Sequence, residues 1–501
     1  MFFRRVASSA LASVLSLLLF AGVASVQAKP QANDATELNN AGSDKYTKGD
    51  LDGAIADFDQ AIKLNPGMAK AYYNRGLAQY DKGSLTDAIA DYDQAIKLNP
   101  DYEDAYVNRA LAKDDKDDHD GAIADETAAL KLDPHDAYAY NNRGWAYYRK
   151  GEIDTAIKDY DAAIKLDPGL SQPYNDRGVA ERDKGDLTKA VADYTLAIAL
   201  SPDNGQAYYN RALARDDQGD PNGALADDNA AIKLDPKYVD AYIGRGEVRL
   251  ERGDWNEAVA DYNQAIQLDP KNSSAFNERG LAWYHKDESS LALADYNQAI
   301  KLDPKNTSAY INRGNVERLQ GMLPQALADF DQAMLNDPKS DSAYDDRGLV
   351  KQAKGDLAGA AEDYSQAIQI NDRNAEACSN LSAIRAAQGN WADGIAYASK
   401  AIANDANFGQ AYNNRGVAKY HQGDIAGALA DYDRALEIDP NDDHAYNNRG
   451  LALQANGDFE GALADFDLAM EIDPKFSQAQ HNRGLAEWHH GDVVSALKDL
   501  F

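Results

Sequence analysis

The sequence predicts an all-α solenoid built from antiparallel helical hairpins. Three observations predict it: a strict 34-residue period along nearly the whole chain, two apolar stripes of helical spacing in each period, and prolines confined almost entirely to the ends of periods. The pair Ala71-Tyr72 returns at Ala105, Ala207, Ala241, Ala309, Ala343, Ala411 and Ala445, always at multiples of 34 residues. Counting outward from these marks gives thirteen 34-residue units over 37–478 and a truncated fourteenth over 479–501, preceded by a short linker at 29–36.

The second unit illustrates each element. Its first helix, A, is expected over about residues 70–82, with Ala71, Arg75 and Ala78 at helical spacing. Gly83 ends it, since the residue after a helix C-terminus often needs positive φ. Helix B carries Ala88, Ile89, Tyr92, Ala95 and Ile96 on one stripe, and Pro100 stops it for want of an amide donor. Of 15 prolines, 11 occupy this closing position. The glycine is replaced only by Asp117 and Asp287, and aspartate is among the few other residues that enter the left-handed region.

Tyr72, Gly76, Ala88, Tyr92 and Pro100 stand where the tetratricopeptide-repeat family has an aromatic, a small residue, an alanine, a second aromatic and a closing proline. The chain from residue 37 onward resembles that family throughout. The resemblance implies a right-handed superhelix of hairpins that binds partners in a concave groove lined by the A helices.

The first 28 residues differ. Arg4 and Arg5 precede an uncharged stretch from Val6 to Val26, and Val26-Gln27-Ala28 places small residues where a signal peptidase reads. The segment reads as a signal peptide cleaved after Ala28, and the mature protein as periplasmic or extracellular. The alternative is an uncleaved anchor, because the stretch is long enough to span a bilayer. Its removal takes two basic residues and leaves a net charge of −33. Nucleic acid is excluded as a partner by the lack of a basic face, whereas neutral or basic proteins and extended peptides fit. The same charge keeps a long, surface-rich chain soluble. Cys378 is the only cysteine, so stability must come from the stacking of units.

Two charged columns run through the units. Arginine stands where the family has leucine, at Arg75, Arg109, Arg143, Arg177, Arg211, Arg245 and onward, and aspartate precedes the B-helix aromatic at Asp91, Asp125, Asp159, Asp193, Asp227, Asp261 and onward. The eleventh unit loses both together, with Leu381 and Tyr397, which argues that the two columns touch as structural ion pairs. The first unit keeps Asp57 opposite Ala41, leaving Arg75 of the next unit as its expected partner.

An asparagine column precedes the arginines: Asn40, Asn74, Asn108, Asn142, Asn210, Asn312, Asn380, Asn414, Asn448 and Asn482. An amide offers a donor and an acceptor together, which suits the backbone of an extended peptide, so these are the expected peptide-binding residues. The middle of the array substitutes Asp176, Gly244, Glu278 and Asp346, splitting the column into two zones. Tyr73, Tyr80, Trp145, Tyr148, Tyr209 and Tyr284 are available to stack on a peptide or a sugar, although such aromatics more often pack. The residues before the column, among them Asn39, Tyr73, Val107, Asn141 and Asn175, include no lysine, which argues against the carboxylate clamp of chaperone-binding family members.

No catalytic motif, metal site or cofactor site is expected. The acidic run at 114–120 has Lys116 and Thr127 where a calcium loop needs carboxylates, and His481, His489 and His490 lack cysteine or zinc-protease partners. The sequence thus points to a non-catalytic scaffold of the cell envelope that binds proteins or peptides, with a carbohydrate-binding accessory protein for envelope polysaccharide as the alternative. Leu497, Leu500 and Phe501 suggest C-terminal self-association. The eleventh unit, with Asp372 and Ala406 for its flanking prolines, Ser382 for its glycine and Cys378 for its aromatic, is either drift within the stack or a specialised contact.

Overall fold

A computed structural model describes residues 30–491 and Asp499. The leader at 1–28, its cleavage point, and Leu497, Leu500 and Phe501 with the self-association they suggested lie outside the described residues. Among the described residues there are 27 helices and no strand. No helix among them is long and apolar enough to cross a membrane.

After the first helix, A helices and B helices alternate with the expected lengths. In the second unit, α3 (Ala69–Asp81) turns at Gly83, whose φ is +83°, into α4 (Leu85–Leu98). The turn is closed by Gly83 N donating to the Tyr80 carbonyl at 2.9 Å and Ser84 N to the Gln79 carbonyl at 2.8 Å, the paired bonds that satisfy a helix C-terminus. Asp117 and Asp287 adopt φ of +61° and +60° at the same turn. The first helix, α1 (Pro30–Thr47), starts inside the stretch read as linker at 29–36. A proline at the first helical position costs no hydrogen bond, and its fixed φ already suits the helix.

Within a hairpin the B-helix aromatic is buried against the A-helix glycine. Tyr92 is fully buried, and a Cβ on Gly76 would lie 2.7 Å from its Cε1, so the glycine makes room for the ring. Burying such a ring removes enough apolar surface to stabilise a unit that carries it by roughly 1.5–3 kcal/mol. Ala88, Ala95 and, from the next unit, Ala105 and Ala112 complete this cluster, so each core is shared between consecutive hairpins. The chain divides into two compact units, residues 1–248 and 249–501. In each, hairpin follows hairpin with the A helices side by side.

Candidate ligand groove

The B helices present the aspartate column to the arginines of the A helices. Arg109 donates from Nε and Nη2 to both oxygens of Asp125, at 2.8 and 2.6 Å, and from Nη1 back to Asp93 in the preceding unit at 2.5 Å. The same pair of hydrogen bonds joins Arg75 to Asp91, Arg143 to Asp159, Arg177 to Asp193 and Arg211 to Asp227. Bidentate pairing fixes the plane of the guanidinium as well as its position, and each ring three residues earlier lies beneath it, as Tyr106 does under Arg109 at 5.5 Å. Arg245 reaches Asn229 in the preceding unit at 2.6 Å, and Asp261 accepts from Arg249 at 2.5 Å.

The backward reach of Nη1 was not legible from the paired columns, because it depends on how far one B helix is offset from the next A helix. It corrects the reading of the first unit. Asp57 pairs with Lys45, one helical turn beyond the missing arginine, at 2.7 Å, and Arg75 turns to Asp59 instead. Lys113 and Lys419 stand at the same place in their units and add a second cation to Asp125 and Asp431.

In the eleventh unit the exchange is one of packing. Leu381 is fully buried with Ile384, and Tyr397 packs against their cluster. Ser382 Oγ donates to the Gly394 carbonyl at 2.7 Å, while Cys378 is buried against Ala401 and Ala411.

The asparagine column runs along the adjoining A helices, and at eight of its ten positions Nδ2 bonds within the stack. Nδ2 reaches back to the residue 35 positions earlier: Asn74 to Asn39, Asn210 to Asn175, Asn312 to Asn277, Asn448 to Asn413 and Asn482 to Asn447, all at 2.8–3.1 Å. Asn380 reaches Asp345, Asn414 reaches Ser379, and Asn108 donates to the Tyr73 hydroxyl. Asn40 is exposed, and Asn142 faces Glu126 without reaching hydrogen-bond geometry. At these eight positions Nδ2 therefore ties adjacent units together, a structural role that stands beside the expected pairing of the amide with a peptide backbone.

The acidic residues that interrupt the column do not form ion pairs. Asp176 accepts from Asn141, Gln172 and Asn175 at 3.0, 2.8 and 3.2 Å. Burial raises its pKa to about 6. Glu278 accepts from Asn277 at 2.9 Å and is likewise raised by burial. Asp346 accepts from Asn315 at 2.8 Å, and burial raises it to about 6 and its neighbour Asp345 to about 7. Gly244 leaves space beside Tyr209 and Asp228, where an added Cβ would come within 3.2 and 3.6 Å.

The suggested stacking aromatics divide. Tyr73 is buried against Tyr102 at 4.8 Å, and the half-buried Tyr209 packs edge-on against Tyr238 at 5.4 Å. Trp145 packs on Tyr148 at 5.3 Å, and the Tyr80 and Tyr148 hydroxyls donate to Asp115 and Asp183 of the next units. Tyr284 instead lines an open cleft.

Open space follows the A helices. Within residues 1–248 a cavity of about 190 Å³ is lined by Tyr138, Asn141, Asn142, Leu170, Gln172 and Pro173. Within residues 249–501 a cleft of about 480 Å³ beside Asn413, Asn414, Asp442 and His444 occupies the equivalent place in its repeats. A trough of about 330 Å³ crosses α15 (Ser273–His285), α17 (Thr307–Leu319), α19 (Asp341–Ala353) and α21 (Ala375–Ala387), lined by Leu281, Tyr284, Asn312, Asn315, Arg318, Asp346, Leu349 and Glu376. Sequence reasoning named Asn312, Asp346 and Tyr284 here but missed Asn315, Arg318, Leu349 and Glu376. Their signal was the recurrence of the same positions in every A helix.

Family models described as tetratricopeptide repeat match residues 39–103, 137–170, 205–238, 288–345 and 444–476, and one described as TPR repeat matches 178–219, 246–287 and 418–457. No curated protein matches the chain in sequence. Among solved structures, the chain is similar to one in the APC/C hetero-tetramer Cut9–Hcn1, with 14% identity, a TM-score of 0.55, and coverage of 90% of this chain and 96% of that one. A tetratricopeptide repeat protein from Parabacteroides merdae aligns with 20% identity over 50% of this chain and 99% of its own, at a TM-score of 0.44. YrrB, described as a TPR protein with an unusual peptide-binding site, aligns with 23% identity over 37% of this chain and 95% of its own, at a TM-score of 0.31.

Proposed function

Because tetratricopeptide-repeat models match along more than half of its length, the chain belongs to that family, and we propose that it is a non-catalytic scaffold that holds extended peptide segments of partner proteins along its A helices. The observation that carries this reading is the trough across α15, α17, α19 and α21. There, the part-buried apolar side chains Leu281, Tyr284 and Leu349 line open space together with the polar Asn312, Asn315 and Asp346. The charged groups between A and B helices, by contrast, are spent on one another. An extended polypeptide needs this mixture, with apolar pockets for alternate side chains and polar groups for its backbone.

The leader-like sequence at residues 1–28 supports a place in the cell envelope for this scaffold. One experiment tests both parts. The tagged chain is expressed in full, recovered from the envelope fraction, sequenced from its N-terminus and used to capture prey, beside a variant carrying Leu281→Asn and Leu349→Asn. The expected result is a chain beginning at Lys29 whose protein prey is lost in the variant while its circular-dichroism melt is kept. Prey retained by the variant, or binding to glycans with no protein prey, defeats the groove reading; an intact leader defeats the cleavage.

A further inference from the structure

The trough across α15, α17, α19 and α21 also suggests the chemistry of its occupant. Asp345, Asp346 and Glu376 hold no ion pair among the described residues, although carboxylates elsewhere in the chain are paired wherever an arginine reaches them. Asp345 is 4% exposed and has one amide donor, Asn380, at 3.2 Å. Asp346 has one as well, Asn315, at 2.8 Å. The charged groups facing them from every packed element are Asp341 on α19, Glu376 on α21 and Arg318 on α17. The lining of the trough thus carries two carboxylates, Asp346 and Glu376, and one guanidinium, Arg318, beside the apolar Leu281, Tyr284 and Leu349, while Asp345 and Asp341 add negative charge from outside the lining. A buried carboxylate left without a cation is costly, and a matching charge delivered by a ligand recovers that cost.

Resting on the peptide-scaffold reading above, we propose that this trough is a cation subsite, which takes a lysine or arginine side chain of an extended basic peptide. The aliphatic stem of that side chain lies along Leu281, Tyr284 and Leu349, and its charged end meets Asp346 and Glu376. Long basic side chains bury their stems on apolar surface in this way while the head seeks charge. A glutamate in the same place would face the carboxylates of Asp346 and Glu376.

The test uses the full chain and labelled Gly-Ser peptides alike except for lysine, norleucine or glutamate at alternate positions, followed by fluorescence anisotropy. The lysine peptide is expected to bind, to weaken with added salt, and to weaken roughly tenfold on the Asp346→Asn, Glu376→Gln variant. Its binding should also fade as pH falls through the range near 6 to 7, where Asp346 and Asp345 take up protons. Asn at position 346 still accepts from Asn315, and Glu376 is exposed, so Glu376→Gln alone keeps the test open if the double variant does not fold. Norleucine and lysine peptides bound equally, or a variant that holds the lysine peptide unchanged, overturns the cation subsite and leaves the scaffold standing. Failure of all the peptides, together with unchanged prey on the Leu281, Leu349 variant, overturns both.

Discussion

Arg313 binds Asp329 through Nε and Nη2 at 2.7 and 2.6 Å, and no lysine shares the load because the residue four positions on is Glu317. The two side chains are 19% and 8% exposed, so neither charge is well solvated once its partner is gone. Arg313→Leu alone should cost ~3 kcal/mol, the lower end for stranding a buried charge. Native-state hydrogen exchange across α17 and α18 (Leu323–Asn336) reads this locally, which matters because a long array need not unfold in one step. The eleventh unit shows how the pair can be dispensed with, since Leu381, Ser382, Tyr397 and Ala398 move the ring back by one residue. Transplanting that set, as Arg313→Leu, Gly314→Ser, Asp329→Tyr and Phe330→Ala, should restore most of the protection. Equal loss in both variants would mean that the pair does not set register. A second exchange obeys the same packing logic. Units three and six replace the ring by Glu126 and Asp228, and both replace the facing glycine, by Ala110 and Ala212. With no ring at 2.7 Å, a Cβ fits.

The elements are delimited by local chemistry, which is why they were readable in advance. Each A helix ends on a residue at positive φ, supplied by glycine at twelve described turns and by Asp117 and Asp287 at two. A non-glycine residue in this region costs about 1–2 kcal/mol, less for aspartate, so Asp287→Gly should stabilise its hairpin by up to about 1 kcal/mol. Slower amide exchange in α15 and α16 (Ser289–Leu302) checks the gain, and a loss would mean that the Asp287 side chain holds the turn. Period, caps and closing prolines depend only on neighbours in sequence, and the Arg and Asp columns became legible through their joint absence at Leu381 and Tyr397. The asparagine column did not yield in the same way. Whether Asn74 spends its donor on Asn39 or keeps it for a ligand depends on the offset between adjacent helices, 35 residues for that bond, and a 34-residue repeat of identities does not specify that offset. The start of α1 at Pro30 escaped for a simpler reason: the segment lies before the first repeat, with no copy to compare.

Among the described residues, two sets of poorly solvated acidic side chains bear on how stability responds to pH. Those between A and B helices are held by arginine or, at Asp57, by Lys45. Those along the A helices, the buried Asp176 and Asp345 and the part-buried Glu278 and Asp346, together with buried Glu126 in the place of a ring, have no cation partner among the described residues, and loss of solvent raises each of their pKa values. A carboxyl raised in the folded state binds its proton more tightly there than in the unfolded chain. Its contribution is therefore unpenalised below the ordinary carboxylate range near 4, and it loses stability as pH rises toward the folded value, about 6 for Asp176 and Asp346 and about 7 for Asp345. A net charge of −31 at pH 7 pushes in the same direction by general repulsion. The thermal midpoint should thus fall between pH 5 and pH 8, the opposite of a chain whose carboxylates are mostly paired. Salt separates the two causes, because it screens distant surface charges but not a desolvated carboxylate. At high salt the slope should persist in the natural chain and flatten in a variant with Glu126→Gln, Asp345→Asn and Asp346→Asn. A slope abolished by salt alone would assign the effect to net charge and leave these buried groups without a role in it.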